Sequence, residues 1–348
     1  MNKLPAGVSR VIVAVATVAA LWSASARPGV ARAAEPAAAC ATTGVERIVA
    51  VGDVHGAYDR FVGILKTASV VDDRLRWSGG KAHLVQLGDV VDRGPDSRKA
   101  MDLLQRLEGE AARAGGAVHA LLGNHEAMRI LGDLRFVTPG EYEQFATQQS
   151  EETRRRYVQS ATSNPGERET LLKETPLGFL EMRVAFGRDG VYGKWLRTLN
   201  AVAKINGILF LHGGISPAVA SMTCETINAT VRRELTSDLD KTRAAALQSL
   251  TAREDGPLWY RGLAQEADSF ESEFGQILSK QAARGIVIAH TVVPDGRIRV
   301  RFGGRLVQMD TGMQAAYVQG GRASALEITS AGTTAIYEDR RDPLDALP

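Results

Sequence analysis

Short apolar runs alternate with amphipathic segments from residue 46 to residue 125, and this alternation predicts strands and helices in turn. Phe61, Ile64 and Leu65 recur at helical spacing, whereas Pro95 suits the start of a second helix and Gly115-Gly116 its end. The predicted strands are residues 47–51, 82–87 and 117–122, and the predicted helices are residues 58–69 and 97–114. Strand and helix in strict alternation are typical of an α/β protein with a parallel sheet.

The pattern changes after residue 138. Residues 139–200 lack strand-like alternation and are rich in Glu, Arg, Gln and Thr, which predicts a helical insertion with solvated charged faces. Strand character then returns, and the chain ends in consecutive β-strands. The later predicted strands are 208–211, 285–289, 298–302, 305–310, 323–328 and 333–337, and a helix is predicted at 224–250.

The N-terminal 33 residues have the pattern of a removable leader. Lys3 and Arg10 precede an apolar run at 11–22, and Ala31-Arg32-Ala33 fits a cleavage site. The run is shorter than the ~20 residues that a membrane span needs, so we expect no stable membrane insertion after cleavage. We expect a Sec-type signal peptide and a periplasmic or secreted protein. Residues 34–45 are rich in Ala and Thr and are predicted to be a flexible segment.

Composition excludes some function classes. The chain is 44% hydrophobic and 24% charged, which is typical of a globular protein and not of a disordered one. Removing the four basic residues of the leader from a total of 42 leaves 38 Lys and Arg against 40 Asp and Glu. Without a basic excess, a nucleic-acid partner is not expected. Cys40 and Cys224 remain in the mature chain, and the sequence leaves open whether they pair in a disulfide or stay free.

Side chains that bind metals or phosphate follow five of the predicted strands. Ligands gather beyond the carboxyl ends of strands in α/β sheets, so these side chains are expected to converge. They are Asp53 and His55; Asp89, Asp92 and Arg93; Asn124 and His125; His212; and His290. Carboxylate, amide and imidazole ligands suit Mn, Fe or Zn, and there are enough of them for two divalent ions that activate a water for phosphate ester hydrolysis.

The motifs that carry these residues resemble those of a known family. Three of them, at residues 52–56 (GDVHG), 88–94 (GDVVDRG) and 123–126 (GNHE), are similar to the signature motifs of the phosphoprotein phosphatase (PPP) superfamily of calcineurin-like metallophosphoesterases. His212-Gly213-Gly214 and His290 resemble its remaining metal-histidine motifs, in the same order. Residues 77–94 and Asp133-Leu134-Arg135 are most like the bacterial Shewanella-like protein phosphatase branch. Five motifs in order are far more specific than any one alone.

The resemblance implies a role for each strand-end residue. Asp53 and His55 would hold one metal ion, Asp89 would bridge both, and Asn124, His212 and His290 would complete the second site. A hydroxide bridging the ions would attack phosphorus. Arg93 would bind phosphate together with Asn124, and Arg261, in a Trp-containing loop at 256–262, would supply a second arginine. His125 would protonate the leaving oxygen, with Asp92 orienting it.

The resemblance also implies the fold class, which is α/β: an αββα sandwich of two mixed β-sheets flanked by helices. The metallophosphoesterase catalytic domain is expected at residues 46–340, with the helical insertion at about 139–200. Other candidate groups have simpler interpretations. His83 and His119 lie in predicted strands and are expected to be structural, Glu126 to support the site through hydrogen bonds, and Asp310 to cap the sheet nearby.

The function predicted from this resemblance is that of a metal-dependent phosphomonoesterase acting on phosphorylated protein or peptide, with phosphotyrosine preferred. Manganese is expected to support activity in vitro, with Fe or Zn as alternatives. Two other functions stay open within enzymes: a dinucleoside polyphosphate hydrolase and a phosphoesterase of broad specificity. A non-catalytic scaffold would lack a ligand or the acid, and the sequence contains every one of them.

Overall fold

The computed structural model describes residues 40–236 and 248–347 of the chain. The predicted leader and residues 34–39 of the predicted flexible segment lie outside these ranges. The described residues divide into a small unit, residues 145–182, and a large unit, residues 40–144, 183–236 and 248–347. Within the described ranges, no helix is both long and apolar enough for a bilayer span.

Two mixed six-stranded sheets share one apolar core in the large unit. The first sheet has the order β1-β5-β6-β7-β9-β8 and the second β12-β11-β10-β2-β3-β4. Residues of both sheets, such as Ala50, Val85, Phe210 and Val287, form a single buried cluster. The first-sheet strands are β1 Ala41–Thr42, β5 Val202–Ile205, β6 Ile208–Leu211, β7 Gly285–Ile288, β8 Arg299–Arg301 and β9 Leu306–Gln308. The second-sheet strands are β2 Arg47–Val51, β3 His83–Gln86, β4 Ala117–Ala120, β10 Ser324–Thr329, β11 Gly332–Tyr337 and β12 Arg341–Leu344.

Helices cover the outer faces of the sheets. In the second sheet α1 packs on β10 and β11 and α2 on β4, and in the first sheet α9 packs on β5. Met101, Leu104 and Leu107 of α2 are buried at helical spacing, as the sequence pattern predicts. The helices are α1 Tyr58–Thr67, α2 Ser97–Arg113, α3 Asn124–Leu131, α4 Pro139–Glu143, α5 Ser150–Ala161, α6 Pro165–Glu174, α7 Phe179–Phe186, α8 Val191–Leu196, α9 Cys224–Thr236, α10 Gly262–Gln265 and α11 Glu271–Lys280. The predicted αββα sandwich is confirmed.

The small unit contains α5, α6 and the first residues of α7. Ion pairs lie along the exposed side of α5, with Glu151 contacting Arg154 and Glu152 contacting Arg156, each at 2.7 Å. The Asn164 side chain caps α6 by accepting a backbone N–H. This unit therefore has the solvated charged face expected of the insertion. Exposed ion pairs of this kind contribute little to the free energy of unfolding.

The structure corrects the predicted helix at 224–250 at its C-terminal end. Residues 248–250 form a turn, because the Glu234 carboxylate accepts the backbone N–H groups of Leu250 and Thr251. Residues 237–247 lie outside the described ranges. The short strands β1, β5 and β12 have no counterpart among the predicted elements.

The N-terminal described residues are tied to the first sheet. Cys40 and Cys224 form a disulfide between Cα atoms 6.1 Å apart, and the two cysteines are separated by 184 positions. Ala41–Thr42 pairs in parallel with β5. This part of the predicted flexible segment is therefore strand. A cross-link over so long a loop stabilises chiefly by restricting the unfolded chain.

His83 and His119 lie beside each other on β3 and β4, with His119 Nε2 3.0 Å from His83 Nδ1. Burial lowers the pKa of His119 to about 4, with a smaller contribution from His83, and burial also lowers the pKa of His83. The folded state therefore favours neutral rings, which agrees with the structural role expected of both.

We expect this pair to make the free energy of unfolding sensitive to acid. The pKa of His119 in the folded protein lies below its unfolded value of about 6.5. The stabilisation of the fold by neutral His119 is therefore complete above about pH 6.5 and is lost as the pH falls towards 4. The loss amounts to about 3 kcal/mol. Urea unfolding of the wild type and His119→Gln between pH 7.5 and 4.5, in chelator, measures it. Parallel losses in the two proteins would contradict the assignment.

Candidate functional site

The predicted ligands lie together at one edge of the sandwich. β2, β3, β4, β6 and β7 each end shortly before one of them, and β2–β3–β4 and β6–β7 run parallel, so their carboxyl ends meet. The residues gathered there are Asp53, His55, Asp89, Asp92, Arg93, Asn124, His125, His212 and His290, of which only Arg93 is not fully buried.

Five of these residues have left-handed backbone conformations. The φ angles are 48° for His55, 54° for Asp89, 70° for Asp92, 65° for Arg93 and 66° for His290. Non-glycine residues rarely adopt this conformation, and where they do the strain clusters at functional sites. The turns after the strands thus aim these side chains inward at an energetic cost.

The loop before α3 approaches Asp89 very closely. A Cβ atom at Gly123 would collide with the Asp89 carboxylate, so only glycine fits there. Glu126 accepts the backbone N–H groups of Gly123, Asp89 and Val90, each at 2.8 Å. Glu126 therefore holds the two loops together, in agreement with the supporting role expected of it.

Asp89 is the centre of the ligand cluster. Its Oδ2 lies 3.1 Å from His212 Nε2 on one side and 3.6 Å from His55 Nε2 on the other. His212 Nε2 also lies 3.0 Å from Asn124 Oδ1 and 3.1 Å from His290 Nδ1. Donor atoms bound to one ion at ~2.1 Å lie about 3 Å apart, which matches this side of Asp89.

Asp53 completes the other side of the cluster. Its Oδ2 lies 3.7 Å from His55 Nε2. Asp310, which is expected near the site, lies close enough to Asp53 for the two carboxyl groups to affect each other's pKa. Burial, followed by the charges of Asp310 and Asp89, raises the pKa of Asp53 well above its usual range. A bound cation would offset this repulsion.

The three ligand histidines each present one ring nitrogen to the cluster. The other nitrogen contacts a backbone carbonyl, which fixes the tautomer as in known metal sites. The pairs are His55 Nδ1 with Val91 O at 2.9 Å, His212 Nδ1 with Leu87 O at 2.8 Å, and His290 Nε2 with Trp259 O at 3.1 Å. The free nitrogens therefore carry lone pairs aimed at the cluster.

The charge states also suit metal binding. Burial lowers the pKa of His55 to about 4 and places that of His290 far below its usual range, so both rings are neutral, as ligands must be. Burial would raise the pKa of Asp89, but His212, His125 and His55 lower it well below its usual range. Two neutral imidazoles, those of His55 and His290, beside an ionised carboxylate fit a divalent metal ion.

His125 and Asp92 form a buried pair beside this cluster. His125 Nδ1 lies 2.7 Å from Asp92 Oδ2. Although burial alone would lower the pKa of His125, Asp89 and Asp92 raise it. A histidine held as imidazolium, with Nε2 directed away from Asp92, has a proton to donate.

Asp92 is itself held by Arg129, which is buried. Arg129 donates to Asp92 and, at 2.8 Å, to Glu141 of α4, while its guanidinium lies 4.8 Å from the centre of the Phe186 ring. Burial raises the pKa of Asp92, but Arg129 and His125 outweigh it and lower that pKa. Asp92 is therefore an ionised carboxylate in a fixed position.

Arg93 lies next to His125, with Nη2 3.3 Å from His125 Nε2. Its Nε is buried and has no acceptor among the described residues. Its Cζ lies 3.8 Å from the centre of the Tyr317 ring and 4.7 Å from that of Phe136. A guanidinium with an unused buried donor, beside an imidazolium, is a fitting place for an anion.

Arg261 lies at the rim of the cluster. Its Nη1 donates to the backbone carbonyl of His290 at 2.9 Å and to Thr291 Oγ1 at 3.1 Å. Trp259 in the same loop accepts from His290. The Trp-containing loop is thus attached to the ligand cluster, and the phosphate-binding role of Arg261 stays a prediction.

Sequence reasoning missed Arg129, Glu141, Phe136 and Tyr317. Arg129 follows His125 by four residues and so shares its helical face, which could have placed it beside the pair. Glu141 and the two aromatic residues lie in segments without periodicity, and no pattern in the sequence indicates them.

Three comparisons extend these observations. A family model described as calcineurin-like phosphoesterase matches residues 46–294. The chain is 33% identical over 298 residues to Uncharacterized protein C1840.07c of Schizosaccharomyces pombe, covering 84% of this chain and 80% of that protein. It is 28% identical over 271 residues to Shewanella-like protein phosphatase 1 of Plasmodium berghei, covering 77% of this chain and 67% of that protein. A solved structure, the cold-active protein-tyrosine phosphatase of a psychrophilic Shewanella species, matches with a TM-score of 0.70 and 29% identity, covering 88% of this chain and 82% of that chain.

Proposed function

Since the chain belongs to the calcineurin-like phosphoesterase family and is a protein phosphatase of the Shewanella-like type, we propose that it hydrolyses phosphotyrosine in proteins or peptides in preference to phosphoserine and phosphothreonine. The observation that carries the proposal is the acid pair His125–Asp92, with Arg93 beside it and the Asp89 cluster next to it. The relative whose structure matches over 88% of this chain is named a tyrosine phosphatase, which supports the preference.

The ligand cluster fits two divalent ions that share Asp89. Asp53 and His55 would hold one of them, and Asn124, His212 and His290 the other. Such ions, when bound, would activate a water and neutralise phosphate charge. Oxygen and imidazole ligands favour manganese, with iron or zinc as alternatives.

Arg93 and His125 would act on the phosphate ester itself. The guanidinium offers a fork of donors that matches two phosphate oxygens, and Arg261 would add a second at the rim. His125 Nε2 would pass its proton to the leaving oxygen, while Asp92 holds the ring at Nδ1 and stabilises the imidazolium. Because Arg129 fixes Asp92 from the opposite side, the acid stays oriented without substrate.

We also propose that the mature protein acts in the periplasm or outside the cell. The leader pattern at residues 1–33 supports export. The disulfide between Cys40 and Cys224 is typical of an oxidising compartment and agrees with that location.

Phosphate release by the mature chain, residues 34–348, tests the proposal. The panel contains phosphotyrosine and phosphoserine peptides of one sequence and a dinucleoside polyphosphate, each with Mn²⁺ and with excess chelator. We expect chelator-sensitive release, greatest from phosphotyrosine. Preference for the dinucleotide would replace the substrate assignment, and silence on all three with metal bound would contradict catalysis.

A further inference from the structure

Two aromatic side chains are exposed at the same place. Phe136 is 37% exposed and Tyr317 is 49% exposed, and within the described ranges they are the aromatic members of a small set of exposed large apolar residues. Both rings contact Arg93. The two rings therefore present aromatic surface to solvent directly beside the residue that is expected to bind the phosphate.

Backbone and side-chain hydrogen bonds hold both rings to the catalytic loops. The Phe136 carbonyl accepts the N–H of Arg93 at 2.9 Å. On the other side, Tyr317 N donates to the Gln314 carbonyl at 3.0 Å, and the Gln314 side chain donates to the His55 carbonyl at 3.1 Å. The rings are therefore placed by the same turns that place Arg93 and His55.

The two rings lie beside different histidines of the site. The Phe136 ring centre is 5.1 Å from that of His125, the residue that faces the leaving oxygen. The Tyr317 ring centre is 6.1 Å from that of His55, on the side of the ligand cluster. A group attached to the leaving oxygen thus begins beside Phe136, and Tyr317 lies nearby because its ring contacts the same guanidinium.

We propose that Phe136 and Tyr317 form an aromatic cleft over Arg93 that binds the aryl group of the substrate and so makes the site selective for phosphotyrosine. This inference rests on the proposed phosphatase function. A phenyl ring bound to the leaving oxygen buries its faces and edges against both side chains. The single methylene of phosphoserine is too short to do so, and it brings the peptide backbone, which is polar, against the rings instead.

The selectivity ratio tests the cleft. We measure kcat/KM for matched phosphotyrosine and phosphoserine peptides in the wild type, Phe136→Ala, Tyr317→Ala and the double variant. The matched controls, Phe136→Tyr and Tyr317→Phe, keep the rings. We expect each alanine variant to lower the ratio of tyrosine to serine activity about tenfold and the controls to retain it. A ratio unchanged in the alanine variants, including equal loss for both substrates, would overturn the cleft and leave the rings as supports for Arg93.

A binding measurement separates this inference from the proposed function. Phenylphosphonate and methylphosphonate are titrated into the wild type and Phe136→Ala by calorimetry, in the presence of Mn²⁺. We expect the wild type to favour phenylphosphonate and the variant to lose that preference. Selective binding by a protein that releases no phosphate would reject the proposed function and support the cleft, whereas active protein without aryl preference in binding would reject the cleft alone.

Discussion

Replacing Asp89 by asparagine is expected to reduce phosphate release by at least about a thousandfold and to remove bound metal from the purified protein. Asp89 Oδ2 is the atom shared by both sides of the cluster, near His55 and His212. An amide keeps the shape of the side chain but has no negative charge to balance the ions. Burial lowers the pKa values of His55 and His290, so these two ligands are neutral and cannot replace that charge.

Metal content and activity are measured on the same samples. Elemental analysis after dialysis gives the ions bound per chain, and phosphotyrosine peptide turnover with added Mn²⁺ gives the rate. Asp73→Asn is the matched control, because its carboxylate is fully solvent-exposed and forms an ion pair with Lys66, at 3.6 Å. Circular dichroism shows whether both variants fold. An Asp89→Asn protein that is folded, binds metal as the wild type does and remains active would contradict the central role of Asp89.

Local sequence patterns were sufficient for the elements that carry the site. The strand at 208–211 and the strand at 47–51 have the bounds predicted, because a buried strand reads as an unbroken apolar run. A glycine directly follows the strand at 47–51 and a histidine directly follows the strand at 208–211, so that each marks the end of the apolar run. Ordered motifs after such strands were therefore enough to predict which side chains meet at the sheet edge.

What the sequence could not predict depends on long-range packing. β1 has only two residues, and its pairing with β5 depends on a contact between chain segments far apart in sequence. Glu141 is a charged residue in an ordinary polar segment, and its burial depends on its approach to Arg129. Phe136 and Tyr317 lie 181 positions apart, so nothing local indicates that both stack on Arg93.

A second large effect is expected at His125, where asparagine removes the proton donor but leaves the ligand cluster intact. Esters with poor leaving groups should be slowed by about 10²–10⁴, because the departing oxygen then leaves as an anion. An activated ester such as 4-nitrophenyl phosphate needs little protonation and should be slowed far less. The phosphoserine peptide is the poor leaving group, and the phosphotyrosine peptide, whose phenol has a pKa of about 10, lies between the two.

The measurement is the ratio of kcat for the three esters in wild type, His125→Asn and Asp92→Asn. Because Arg129 and Glu141 remain in place in Asp92→Asn, that variant weakens the orientation of the acid without deleting it, and we expect an intermediate dependence on the leaving group. His119→Gln at neutral pH is the control for replacing a histidine outside the cluster. If His125→Asn slows all three esters equally, another group must protonate the leaving oxygen. His125 then contributes to substrate binding or to the ligand cluster, since its Nε2 lies 3.9 Å from Asp89 Oδ2.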